Sequence, residues 1–251
     1  MAPHCLAGSV FTLQNGTTPL VEALLHSFAN INVRTRSPVA SVQALTASFL
    51  LRFSTPGRRT DSAEYDAVAV ATPLENAQAL SLVDVAEPLN VTRPYQRTCV
   101  TFVCGVVDPA YFGLRPSDQL PTELLTIENA TLPFTTLAVH ATHPNGSAVY
   151  KMFSRAPVDD ALLDVVFSSR HRTRRLDWAA AYPQLRPSPA DATWPPFEVR
   201  LRSEGGSERS VLYVNAMESA VSCMETQLIA AKNAALRLVS QLHAARATQP
   251  H

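Results

Sequence analysis

Hydrophobic residues recur at two spacings along the chain, and these spacings separate predicted strands from predicted helices. Near the carboxyl end, residues 211–214 are continuously apolar, which predicts a short buried strand. Apolar or small side chains then recur at helical spacing, which predicts one long helix that begins at Asn215. The recurring positions are Met217, Ala220, Val221, Met224, Leu228, Ala231, Ala235, Leu238 and Leu242. A helix that only packs against a sheet has the same pattern, so the periodicity alone does not indicate a site.

The predicted start of this helix has features of an anion-binding end. Asn215 is the expected N-cap, and Glu218 follows three residues later, where it can return a hydrogen bond to the cap amide. The small side chains of Ser219, Ala220 and Ser222 allow another molecule to approach closely. The free amides and the positive dipole end then favour an anion or a polarised carbonyl.

The first 82 residues alternate between a helical pattern and strand patterns. A helix is predicted from Thr17 or Thr18, with Pro19 at its first position, to about Phe28. The predicted strands cover residues 31–34, the stretch from Pro38 to 42, residues 48–54 and residues 65–71. A turn is predicted at residues 56–60, between the last two of these strands. The last of these strands is apolar throughout, which is typical of a strand covered on both faces, and it ends at Thr72-Pro73.

Beyond Leu82 the pattern becomes that of a sheet. The predicted elements are strands at 97–107, 124–129, 134–139 and 148–154, a helix at 158–167, a solvated basic loop at 170–175 and an irregular stretch at 176–196. We therefore predict an α/β fold in which a substrate-binding domain, residues 83–204, is inserted between two parts of another domain, residues 1–82 and 205–251.

Composition excludes several classes of function. The 251 residues are 46% hydrophobic and carry 21 basic and 21 acidic side chains, so nothing favours a nucleic acid or an acidic membrane as a partner. No apolar run reaches the roughly 20 residues of a transmembrane helix. The four cysteines contain no C-x-x-C pair, and Cys99 and Cys104 are expected on opposite faces of one strand. His140 and His143 are likewise too unfavourably spaced on a strand to form a metal pair.

Four Asn-X-Ser/Thr sequons predict passage through the secretory route. Asn15, Asn90, Asn129 and Asn145 are the candidate glycosylation sites. The first residues do not have the basic and apolar regions of a signal peptide, so the two indications conflict. A truncated amino terminus would remove the conflict.

The sequence Tyr213-Val-Asn-Ala-Met-Glu-Ser-Ala220, with Ala230-Ala-Lys-Asn-Ala-Ala235, resembles the closing segment of the prenylcysteine oxidase family, and within it the oxidase-like subgroup. Val149-Tyr-Lys-Met-Phe-Ser154 and Asp177-Trp178 extend the resemblance, which covers about residues 10–240. It implies FAD as cofactor and a fold similar to the flavin amine oxidases. The chain would then form part of a Rossmann-like FAD-binding domain with an inserted mixed β-sheet substrate domain.

The same resemblance implies particular cofactor-binding residues. The late strand–helix junction, with Asn215, Ala216, Met217 and Glu218, would lie against the flavin. Val39 would contact the adenine side, and Thr72 and Pro73 would end near the cofactor. An ordinary helix–strand unit and a commonplace strand end are the alternatives. Classical family members have glycine at the position of Ala216. The methyl group of this alanine limits how closely a ligand can approach the backbone.

The resemblance also implies a reaction. A flavin thioether oxidase cleaves prenylcysteine to cysteine, an isoprenoid aldehyde and hydrogen peroxide, mainly through cofactor chemistry. No catalytic side chain is therefore predicted. Apolar residues of the middle sheet are candidates for an isoprenoid tunnel, although core packing is their more usual role: Phe102, Phe134, Leu137 and Phe153. A lysosomal or secreted location is implied.

One expected motif is absent. The chain contains no G-x-G-x-x-G sequence, the turn that brings a dinucleotide pyrophosphate to a helix start. We therefore expect the chain to correspond to the carboxyl-terminal half to two-thirds of a family member and not to retain FAD by itself. A non-catalytic lumenal glycoprotein that keeps the fold is the main alternative. A polyamine-oxidising flavin amine oxidase is a third, which would need an acid-lined tunnel.

Overall fold

A computed structural model describes residues 13, 16–77, 79–127, 129–143, 147–185, 187 and 193–247 of the chain. The strands are β1 Val39–Ala44, β2 Phe49–Thr55, β3 Arg58–Tyr65, β4 Ala69–Val70, β5 Ser81–Leu82, β6 Tyr95–Val107, β7 Glu123–Leu125, β8 Thr136–Thr142, β9 Ala148–Ser154, β10 Phe167–Pro183, β11 Glu198–Arg202 and β12 Glu208–Tyr213. The helices are α1 Thr18–His26, α2 Asp160–Val166 and α3 Met224–Ala247, with 3-10 turns at Pro109–Phe112 and Val214–Ser219. We call Val214–Ser219 the junction turn. The predicted α/β class is confirmed as a mixed α/β structure with mixed sheets.

Two of the three sheets share one hydrophobic core. The first has the order β3-β2-β1-β5, and the second has the order β11-β12-β4. Alternation along β2 buries Phe49 and Phe53, as the sequence pattern predicts. The shared core contains Val42, Ala44, Phe49, Val68, Val70, Val199, Leu201, Val211, Tyr213 and Ala216. This core joins residues that are far apart in the chain, because β11 and β12 come from the last quarter of the sequence.

The third sheet, with order β10-β6-β9-β8-β7, has a separate core on one face. Odd-numbered residues of β6 face α2 and the loops that precede β8, because alternate residues of a strand point to opposite sides. The core contains Val103, Val107, Phe134, Leu137, Met152, Val158, Leu163, Val166 and Phe167. We call the opposite side the open face. The domain limits predicted at 82/83 and 204/205 remain predictions; the first core includes Val199 and Leu201, which belong to the predicted 83–204 segment.

Several predicted elements differ from those observed. The helix near the start is present as α1, but none of its residues is buried, and Phe28 is 61% exposed. Residues 31–34 do not form a strand. The strand predicted at 65–71 is observed only as β4, and Tyr65 belongs to β3, which pairs with β2.

The basic run at 170–175 is part of a strand and not a loop. It lies in β10, which pairs antiparallel with β6 and continues through residues 176–183, where irregular structure was predicted. Backbone pairing with the apolar β6 thus overrides the polar local pattern. Within the described part of the chain, no helix is long and apolar enough to cross a membrane.

Candidate functional site

Two parallel strands end side by side and bring distant segments of the chain together. β4 pairs with β12 in parallel register, with Val70 opposite Tyr213. Both strands therefore run out at the same edge, where β4 continues into Thr72-Pro73 and β12 continues into the junction turn. The carboxyl ends of parallel strands are the usual ligand-binding edge of an α/β sheet. The structure thus places two of the three segments predicted to contact FAD next to each other.

The junction turn corrects the predicted helix start. Residues 214–219 form a 3-10 turn rather than the first turns of α3, which begins only at Met224. Asn215 is not an N-cap: it is buried within the turn, and no side-chain cap bond is present. Glu218 accepts a hydrogen bond from the Tyr95 hydroxyl at 3.1 Å and one from Ser222 at 3.4 Å, instead of returning to the Asn215 amide. The predicted capping box is therefore wrong.

The inner face of the long helix was also predicted wrongly. Met224 and Leu228 are 66% and 64% exposed, whereas Ala230 and Ala234 are buried. Because the helical structure is interrupted before Met224, apolar positions that are counted continuously through the junction turn and α3 do not lie on one face of a helix. Small alanine side chains let the helix approach closely, and α3 contacts the junction turn and β12.

Arg93 holds this edge together, and sequence reasoning did not single it out. Its guanidinium donates to the Asn215 carbonyl at 2.7 Å, to the Ser219 hydroxyl at 3.2 Å and to the Tyr213 hydroxyl at 2.7 Å. It also forms an ion pair with Glu75, which follows β4. The Arg93 guanidinium thus satisfies one acceptor site of the Asn215 carbonyl and ties the junction turn to the segment before β6.

The charges in this network are shifted by burial and by one another. Burial alone would raise the pKa of Glu75, but hydrogen bonds and the charge of Arg93 outweigh it and hold that pKa below its usual value. Burial and the carboxylates of Glu218 and Glu75 raise the pKa of the Tyr95 hydroxyl. The tyrosine therefore remains a neutral donor to Glu218. The network links β4, the loop before β6 and the junction turn through charge-assisted hydrogen bonds.

An apolar cleft of about 570 Å³ lies beside the same edge. It is lined by Pro38, Val39, Val42, Leu51, Val68, Ala69, Val70, Ala71, Thr72, Asn76, Ala77, Ala79 and Leu80. Val39 and Thr72, predicted from distant parts of the sequence, therefore line one cleft, while Pro73 and the junction turn do not. Its volume falls within the range of small-molecule and cofactor pockets.

A second cleft, of about 680 Å³, includes the end of the junction turn. Glu218, Ser219 and Arg93 form its polar part. Its apolar part comes from Pro94, Pro183, Leu185, Pro187 and Trp194. Ala216 does not reach it, because its methyl group is 4% exposed and belongs to the core. An elongated apolar molecule with a polar end fits this combination of side chains.

The residues present fit one side of an FAD site. The Val39 cleft offers an apolar surface suited to the adenine ring, and the junction turn lies at the ligand-binding edge. The pyrophosphate requires backbone amides at a glycine-rich turn, and the sequence has no G-x-G-x-x-G turn to provide them. Contacts of Val39, Thr72, Pro73, Asn215, Ala216, Met217 and Glu218 with FAD remain predictions.

Other candidate residues are placed as follows. Phe134 and Leu137 are buried in the core and cannot line a tunnel, whereas Phe102 and Phe153 are half-buried on the open face. Among the described residues, no group of three or more His, Cys, Asp or Glu side chains is arranged to hold a metal ion. Cys99 and Cys104 are both free thiols, as their spacing predicts.

The chain belongs to the prenylcysteine lyase family, whose model matches residues 5–249. The resemblance seen in the sequence is thereby confirmed. Farnesylcysteine lyase of Arabidopsis thaliana is 30% identical over 93% of this chain. Prenylcysteine oxidase 1 of Mus musculus is 29% identical over 72%, and prenylcysteine oxidase 1-like of Bos taurus is 27% identical over 70%. The chain spans 43% of the length of the first relative and 36% of each of the others.

Proposed function

We propose that this chain forms the substrate-side wall of an FAD-dependent thioether oxidase that uses water and oxygen to cleave prenylcysteine to cysteine, an isoprenoid aldehyde and hydrogen peroxide. The observation that carries the proposal is the shared edge of β4 and β12, where Thr72 and the junction turn lie together beside the apolar Val39 cleft. Family membership and the names of the relatives support the class of reaction. FAD, when bound, would take the hydride from the isoprenoid carbon next to sulfur.

The residues of this chain would bind and orient, and would not exchange protons. Val39 and Thr72 would contact the adenine side of the cofactor. Arg93, through its bonds to Asn215 and Ser219, would fix the junction turn at the flavin. The second cleft would receive the isoprenoid, because Leu185, Trp194 and the neighbouring prolines give it an apolar surface.

The test is an FAD titration of the chain, followed by flavin fluorescence, with charge introduced into the cleft. Wild-type chain should bind FAD at equilibrium and lose it on desalting, since the pyrophosphate-binding turn is not present in the sequence. Val39→Arg should abolish binding because it places an unpaired cation on an apolar wall. Val106→Arg is the matched control, since Val106 is 56% exposed on another sheet.

The outcomes separate the alternatives. Loss of binding in Val39→Arg alone supports the proposed site, and a peroxide assay with farnesylcysteine in the presence of FAD then tests turnover. No FAD binding at any concentration by folded chain contradicts the proposal and favours the non-catalytic glycoprotein. Stoichiometric flavin after desalting would show that the glycine-rich turn is not needed.

We also propose a lysosomal or secreted location with glycans on Asn90 and Asn129. Both asparagines are exposed. The Asn90 side chain bonds to Thr92 of its own sequon, and Asn129 does the same with Thr131. Asn15 and Asn145 lie outside the described residues. Removal of N-glycans from chain made in a secretory host should lower its apparent mass, and an unchanged mass would contradict the proposal.

A further inference from the structure

A third cleft lies on the open face, far from the edge described above. It has a volume of about 410 Å³ and is lined by Phe102, Cys104, His140, His143, Val149, Arg172 and Arg174. Tyr95, which contacts Glu218, lies at the other end of β6, nine residues from Cys104. At about 3.3 Å per residue, the separation along the strand is about 30 Å. The cleft is therefore distinct from both clefts at the β4–β12 edge.

Two guanidinium groups, those of Arg172 and Arg174, line this cleft. On β10, Arg172 lies opposite Cys104 and Arg174 lies opposite Phe102. Neither arginine has an ion pair within the ranges that the structure describes. Arg170 and Arg175 of the same run, in contrast, both bond to Asp160 of α2, at 2.9 and 2.8 Å. Alternation places Arg175 on the face opposite Arg172 and Arg174, and an irregularity in the pairing between Arg170 and Arg172 brings Arg170 to the same face as Arg175.

The rest of the open face adds positive charge near the cleft. Lys151 of β9 lies opposite Phe102, and its Nζ is 4.9 Å from the centre of the Phe153 ring. Strand pairing also places Glu123 of β7 on the same face, next to β8, where its single negative charge is outnumbered by those of Arg172, Arg174 and Lys151. The electrostatic field at the cleft therefore favours an anion.

The floor of the cleft is apolar. The rings of Phe102 and His140 pack edge to face with centres 5.1 Å apart, and Val149 lies opposite Cys104 on the neighbouring strand. Arginine side chains bind carboxylate and phosphate through paired N–H donors. Together, an apolar floor and two guanidinium groups that have no ion pair among the described residues match a molecule with an anionic head and an apolar chain.

We propose that this cleft binds an anionic amphiphile. Arg172 and Arg174 hold its carboxylate or phosphate head, and Phe102 and Val149 contact its chain. The proposal does not rest on the proposed function, because none of these residues lines the Val39 cleft or the cleft at the junction turn.

Calorimetry with three probes of equal chain length tests the proposal: dodecanoate, dodecyl phosphate and dodecanol, each below its aggregation concentration. We expect at least one of the two anions to bind and dodecanol not to bind. The anion that binds more tightly shows whether the cleft prefers a carboxylate or a phosphate head group. Arg172→Gln/Arg174→Gln should weaken binding about a hundredfold, or about tenfold for each guanidinium, equal to about 1.4 kcal/mol each. Arg36→Gln/Lys232→Gln removes two exposed cations elsewhere and should leave the affinity unchanged.

Cys104 provides a second readout that requires no variant. It lines the cleft as a free thiol, whereas Cys223 is exposed outside it. Saturating anion should slow alkylation of Cys104 by iodoacetamide, measured by mass spectrometry, and leave the rate at Cys223 unchanged. The proposal is overturned if neither anion binds, if dodecanol binds equally well, if the arginine variant keeps wild-type affinity, or if Cys104 is not protected.

Discussion

The buried ion pair between Arg93 and Glu75 makes a quantitative prediction about the candidate site. The two side chains are 11% and 8% exposed. Replacing Arg93 by methionine leaves the Glu75 carboxylate buried without its cation, which costs about 3–5 kcal/mol in comparable buried pairs. The junction turn also loses the donor to its Asn215 carbonyl. We therefore expect Arg93→Met to lower the free energy of unfolding by about 3–5 kcal/mol, a large fraction of the stability of an ordinary domain.

Equilibrium unfolding in urea at neutral pH measures this change. Arg200→Met is the control: its ion pair with Glu87 is exposed, with side chains 49% and 70% accessible, and should contribute about 1 kcal/mol or less. Arg93→Lys should give an intermediate loss, because an ammonium group keeps the charge but not the planar fork of donors. It also keeps the test informative should Arg93→Met fail to fold.

A double replacement separates charge burial from packing. Arg93→Met with Glu75→Met removes both charges, and well-packed apolar replacements of a buried pair are often close to neutral. The double variant should therefore be more stable than Arg93→Met alone. If Arg93→Met loses no more stability than Arg200→Met, the pair does not hold the junction turn, and the role assigned to Arg93 is refuted.

Two further predictions follow from the same structure. The pKa of Glu75 is lower in the folded chain than its usual value. On acidification, the unfolded chain therefore takes up this proton at a higher pH than the folded chain does. The stability that the Glu75 carboxylate contributes is complete above about pH 4.3 and is lost as the pH falls through the lower pKa of the folded chain. Glu75→Gln should therefore flatten the fall in unfolding free energy below about pH 4.3, and an unchanged slope would contradict this. A Cβ on Gly105 would lie 2.3 Å from the Ser169 carbonyl oxygen, so Gly105→Ala should lower the free energy of unfolding in urea by about 1–3 kcal/mol. Gly205→Ala is the control, because a Cβ on Gly205 would have its nearest contact at 3.8 Å. Equal stability of the two variants would refute the predicted steric strain.

Strands and helices with a clear period of apolar side chains were predicted from the sequence, because the period of a segment itself shows which of its residues face a core. β9 was predicted with its observed bounds, and β6 and α2 were predicted within about two residues. Val39 and Thr72, both named as cofactor contacts from the family resemblance, line one cleft, and their contact with FAD stays a prediction.

Contacts between residues far apart in sequence decided the remaining features. At the junction turn, the Asn215 carbonyl accepts a hydrogen bond from Arg93, which lies 122 residues earlier in the chain. The basic run became a strand because β6 offers a backbone partner along nearly its whole length, and the strand then turned Arg172 and Arg175 to opposite faces. Local propensity cannot anticipate either result, since backbone groups and buried charges are satisfied by partners that only the tertiary structure brings near. The sequence by itself thus determined the family and most of the strands, and the tertiary structure decided which polar side chains meet.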